Sequence, residues 1–99
     1  MLAMSPRASD PRRPTYCFAL TADADPGLMP RVLQQFAKRN LVPSQWHSAL
    51  SGPTGNELSI DIQLEGVEAS EAERLASLFR QIVGVSWVAW SEKRFARQA

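Results

Sequence analysis

Leu58-Ser59-Ile60-Asp61-Ile62-Gln63-Leu64-Glu65 alternates aliphatic and polar side chains without a break. Successive side chains of a strand point to opposite faces, so Leu58, Ile60, Ile62 and Leu64 share one face and Ser59, Asp61, Gln63 and Glu65 the other. The strand therefore belongs to a sheet that is buried on one side and wet on the other. Everything outward from it has to supply the cover for that single apolar face.

Upstream, Gly52-Pro53-Thr54-Gly55-Asn56 has the composition of a hairpin loop. Before it, residues 41–51 mix polar and apolar positions around Trp46 with no helical stripe, and read as a strand. Further back, Leu28, Met29, Val32, Leu33, Phe36 and Ala37 recur at intervals of three and four, one face of a helix running to about Arg39. Pro30 has no amide hydrogen and fits only the first turn, which predicts a start at about Pro26 or Gly27. Asn40 stands where a left-handed residue closes a helix. Tyr16, Phe18 and Leu20 alternate with Cys17 and Ala19, the pattern of a first strand.

Downstream, Ser70 followed by Glu73 predicts a capping box. Ala72, Leu75, Ala76, Phe79, Ile82 and Val83 supply the second helical stripe, and Gly84 its stop. Residues 85–90 then read as a last strand. The order is strand, helix, strand, strand, helix, strand. Right-handed crossovers place both helices on one side of a four-stranded antiparallel sheet, an α+β, ferredoxin-like βαββαβ fold with the first and third strands in the middle.

The chain has 99 residues, 44% hydrophobic and 21% charged, enough for one domain with a small core. Residues 1–14, with Arg7, Arg12, Arg13 and three prolines, read as a disordered basic leader, and residues 93–99 as a basic tail. Residues 15–91 carry five basic and eight acidic side chains, a net −3. Only the ends are basic, which argues against a nucleic-acid surface on the fold. No apolar run is long enough to span a bilayer, and no secretory signal precedes the fold. A cytoplasmic location is the expectation. Cys17, the one cysteine, can form neither an internal disulfide nor a paired-thiolate metal site.

The open sheet face should carry Cys17, Ala19, Ser59, Asp61 and Gln63. It lacks the aromatic side chains that stack RNA bases and the phosphate loop of an acylphosphatase. His47 has no second histidine or nucleophile beside it. Asp61, Glu65 and Glu68 read as a solvated face. Neither catalysis nor a cofactor nor a metal is indicated. Trp87 and Trp90 are three apart on one strand and must face opposite ways, so Trp46, Trp87 and Trp90 are candidate interface anchors. Open edges on the second and fourth strands favour a homodimer.

Asp25-Pro26-Gly27-Leu28 between first strand and first helix, the stripe to Phe36, Leu41-Val42 after the cap, and Gly84-Val85 with Val88 resemble the ACT domain over residues 15–92. A free domain of this length looks most like the short regulatory subunit of acetolactate synthase. The resemblance implies a non-catalytic regulatory domain that pairs with itself, docks on a biosynthetic enzyme and binds an amino acid at the paired interface. A stand-alone amino-acid sensor is the alternative, and a small enzyme on the same fold a more distant one. Carried onto this chain, the ligand site comprises Asp23, Asp25, Pro26, Gly27, Leu28, Leu41 and Val42. Amides after Gly27 would hold the carboxylate and Asp23 or Asp25 the ammonium. Serine-binding members carry polar groups where this chain has Ala22, Ala24 and Val42, so the apolar walls suit valine, leucine or isoleucine.

Overall fold

The computed structural model describes residues 14–93. The expectations for residues 1–13 of the leader and 94–99 of the tail lie outside the described residues. Six elements follow the expected order: β1 (Thr15–Asp23), α1 (Leu28–Lys38), β2 (Gln45–Ser51), β3 (Glu57–Glu65), α2 (Ala69–Arg80) and β4 (Val85–Lys93). The antiparallel sheet is ordered β2-β3-β1-β4. Both helices lie on the side bearing Tyr16, Phe18, Leu20, Ala22, Leu58, Ile60, Ile62 and Leu64, all buried. No helix among the described residues is long and apolar enough to cross a membrane.

Helix α1 buries Leu28, Val32 and Phe36, and α2 buries Ala72, Leu75, Ala76 and Phe79. The two stripes meet over β1. Phe79 stands edge-on to Phe18 at 5.4 Å between ring centres, and tilted against Phe36 at 5.6 Å. These geometries add to the area each ring removes from water. Arg39 reaches across from the end of α1 to Glu71 at 3.8 Å.

Sequence reading and structure part at five boundaries, the first being β4, which runs past Trp90 to Lys93 and so takes in the first residue of the expected tail. Helix α1 begins at Leu28, with Pro30 in its first turn as required and Gly27 as the N-cap. Strand β2 begins at Gln45 rather than Leu41, because residues 41–44 are spent closing α1 and turning at Pro43. Asn40 is left-handed at φ 59. Its amide bonds the Ala37 carbonyl at 3.0 Å, and the Leu41 amide bonds Phe36 at 2.9 Å. This reciprocal pair is the Schellman closure. The capping box at Ser70 does not form. Glu68 is the N-cap, no side chain caps the helix, and Ser70 is its second residue. Finally, α2 ends at Arg80, and residues 81–84 tighten into turns. Ile82 still packs on the core, but Val83 is 83% exposed and drops out of the stripe.

Gly84 is required where it stands. Its φ is +101°, and a Cβ there would come within 3.1 Å of Leu28. Its carbonyl accepts the Asp23 amide at 2.8 Å, so the end of β1, the start of α1 and the entry to β4 meet at this residue.

Two substitutions test this packing by urea denaturation. Phe79→Ala should cost about 3–5 kcal/mol, most of the stability of a domain this size. Gly84→Ala should cost about 1–3 kcal/mol through backbone strain and the Leu28 contact. Losses under about 1 kcal/mol in both would contradict the arrangement.

Candidate functional site

The turn between β1 and α1 is held by its own groups. The Asp25 amide bonds the Asp23 carbonyl at 2.8 Å, and the Leu28 amide bonds the Asp25 carbonyl at 2.9 Å. The Asp25 carboxylate accepts the Gly27 amide at 3.4 Å through one oxygen. Its other oxygen takes the Arg31 guanidinium at 3.5 Å. Arg31 also donates to the Val83 carbonyl at 3.3 Å. Asp25 is therefore an anchor for the turn, and its charge is already answered.

That arrangement limits what α1 offers an anion. A helix start exposes amides that lack partners within the helix. Here the Leu28 amide is committed to Asp25 and Pro30 has none, which leaves Met29 as the open donor among the first three helical residues. Gly27 itself has φ −83°, a value any residue adopts. What a side chain there would meet is Arg31, 3.2 Å from an added Cβ. Glycine at this position makes room for the arginine. Nothing in the Asp-Pro-Gly motif announced Arg31. Its place four residues into the helix, one turn above Gly27, was the available signal.

The remaining proposed ligand groups do not gather around this turn in one chain. Asp23 is exposed beside Gly84, close to the turn. Leu41 and Val42 follow the other end of α1, whose eleven residues span about 16 Å. Leu41 packs on the core and lines a hollow with Arg39, Val67 and Glu68, while Val42 is exposed. A pocket using both ends of α1 needs two molecules.

The sheet edges show where two molecules could meet. In β3, the Asn56 carbonyl accepts from Ala24 and the Gln63 carbonyl from Ser44, so even-numbered backbone groups turn to β1 and odd-numbered ones to β2. With Gln45 opposite Gln63 and His47 opposite Asp61, β2 directs Gln45, His47, Ala49 and Ser51 inward. Trp46, Ser48 and Leu50 then turn their amides and carbonyls to solvent. By the same alternation Val88 and Trp90 face outward on β4, while Ser86 is the extra residue of a bulge opposite Thr21 and Ala22. There, however, Arg80 donates to the Val88 carbonyl at 3.2 Å. The β4 edge is blocked in mid-strand by a residue of α2, a contact that strand composition did not reveal.

An apolar strip runs beside the β2 edge on the helix side. Met29 and Leu33 lie one turn apart on α1, and Trp46 and Leu50 lie on β2. The Ser48 hydroxyl touches the Met29 sulfur at 3.4 Å. Leu50 is 67% exposed. Trp90 turns the other way, onto Tyr16 at 6.0 Å on the helix side, whereas Trp87 stands opposite Thr21 on the open face and is 55% exposed. His47 and Asp61 face each other across β2 and β3. Among the described residues no cluster could hold a metal ion.

The profile of the ACT-like domain family matches residues 10–96. A search of curated proteins found no match. Among solved structures, the C-terminal domain of the MgtC protein from Mycobacterium tuberculosis superposes with a TM-score of 0.69 at 14% identity, covering 93% of this chain and 100% of that one. The ACT domain from GTP pyrophosphokinase of Chlorobium tepidum gives 0.66 at 9% identity, covering 80% and 99%. An uncharacterized protein from Thermotoga maritima gives 0.64 at 14% identity, covering 82% and 98%. At these identities the structural likeness speaks for the fold alone. The family match spans nearly the whole chain, and with the fold and edge geometry above it makes this chain a member of the ACT-like domain family.

Proposed function

We propose that this chain is a regulatory, non-catalytic domain that acts as a two-fold homodimer joined along β2 and forms its amino-acid site only across that junction. The observation that carries the reading is the asymmetry of the edges: β2 is open and flanked by exposed apolar groups, and β4 is blocked by Arg80. A two-fold axis at Ser48 would pair Ser48 with its own copy and set Trp46 against Leu50 of the second copy. Unpaired backbone groups on both sides would be satisfied together. Met29 and Leu33 would extend the apolar contact between the two α1 helices.

Such a pairing is antiparallel. It would bring the Asp23–Gly27 turn of one copy beside Leu41 and Val42 of the other, assembling the set that one chain keeps apart. The Met29 amide and the Arg31 guanidinium would take a carboxylate, Asp23 the ammonium, and Val42 with Leu41 an aliphatic side chain. A branched-chain amino acid suits that chemistry. The target we put first is the catalytic subunit of acetolactate synthase, on the general sequence pattern of the domain. That similar folds occur as a domain of GTP pyrophosphokinase and a C-terminal domain of MgtC supports action by attachment to a larger partner. A sensor acting on another target shares the same site and is separated by which enzyme co-purifies.

Sedimentation should give a dimer at tens of micromolar protein, a range that fills an interface of about micromolar affinity. Ser48→Pro, tolerated on an edge strand but unable to donate outward, should give a folded monomer. A monomeric native chain, or an unaffected Ser48→Pro dimer, would contradict the reading.

For the ligand, valine, leucine or isoleucine at 100 times its dissociation constant should stabilise the dimer by about 2.7 kcal/mol, several degrees in a thermal-shift assay. Asp23→Asn should abolish the shift. A flat response to all twenty amino acids would remove effector binding from the proposal.

A further inference from the structure

The face of the sheet turned away from the helices is not explained by the pairing just described. It displays the odd-numbered residues of β1 and β3 and their partners on β2 and β4. Its middle row is His47, Asp61, Ala19 and Ala89, and small side chains there leave a shallow hollow of about 170 Å³ bordered by Cys17, Asp61 and Gln63. Trp87 stands at one end of this face, 55% exposed. The charges are one-sided: Asp23, Glu57, Asp61 and Glu65 against Lys93.

We infer that residues 1–13 of this chain dock on that open face, their arginines against its carboxylates and their prolines against Trp87. Charge and length both support this occupant. The segment holds Arg7, Arg12 and Arg13 against Asp10, a net +2 facing a net −3. It joins β1 at Thr15, a position on this same face in the middle of the sheet, and Pro14 precedes the joint. From the Thr15 row to the Trp87 row is six residues of strand, about 20 Å. Thirteen residues in an extended, proline-rich conformation reach about 40 Å. Folded back along β1, the chain would bring Arg12 and Arg13 near Glu65 and Asp61, and Pro6 and Arg7 to the level of Trp87. Proline-rich segments dock against aromatic rings, and arginine stacks on tryptophan. Thr15 fits the same picture: it is 2% exposed, the one open-face position among the described residues closed to water. The inference stands independently of the β2 dimer.

Cys17, the only thiol, lies half-buried in the hollow and reports its cover directly. The measurement is the rate at which the full chain reacts with an aromatic disulfide. Replacing Arg7, Arg12 and Arg13 with Glu should raise that rate several-fold, and so should Trp87→Ala with the leader intact. High salt should accelerate the native chain and leave the Glu variant unchanged. A synthetic peptide of residues 1–13 should restore protection to a chain lacking them. The native rate should not depend on protein concentration. Equal rates in the native and variant chains would overturn the inference. Protection that grows with protein concentration would also overturn it, assigning the face to a second copy. Neither result bears on the Ser48→Pro dimer test, so the two proposals fail separately.

Discussion

A sheet covered by helices on one side leaves three surfaces outside its own core: two strand edges and one whole face. Backbone groups on an edge form a ready template for another strand, and the uncovered face must be polar, small or occupied. This chain treats the three differently. The β4 edge is closed by the Arg80 guanidinium on the Val88 carbonyl. The open face carries small and acidic side chains with one tryptophan. The β2 edge is left bare, beside Met29, Leu33, Trp46 and Leu50.

The same constraint bears on the proposed ligand groups. The Asp23 amide bonded to Gly84 and Leu28 packed against that glycine lock the β1–α1 turn to the end of α2. The turn is thereby rigid, and its polar groups are largely spoken for: Asp25 by Gly27 and Arg31, the Leu28 amide by Asp25. What remains free is sparse, namely Met29, the outer side of Arg31 and Asp23. A pocket built from so few donors needs a second wall, and α1 holds Leu41 and Val42 too far away to provide it within one chain.

The fold was legible because its decisive patterns are local. Alternation over residues 58–65 and the stripes through Phe36 and Phe79 each require a particular element, and their order leaves few topologies. Asn40 was legible for the same reason, as a left-handed cap. Ser70 misled because a capping box competes with an earlier start, and the chain enters α2 from Gly66 and Glu68 instead. Val83 misled because a periodic stripe does not reveal where a helix gives way to turns. The site was less legible still. Asp25 looked like a ligand group in the linear motif. It became a structural anchor only once Arg31, six residues on, folded back to it. Arg80 at the β4 edge is a tertiary contact that no spacing encodes.

The central claim, that β2 is the edge left for a second copy, is tested most directly by amide hydrogen exchange at two protein concentrations. The outward amides of Trp46, Ser48 and Leu50 should exchange freely when dilute and become protected together as concentration rises, while those of Val88 and Trp90 do not change. Protection gained along β4 instead, or no change on β2 across the range, would contradict it.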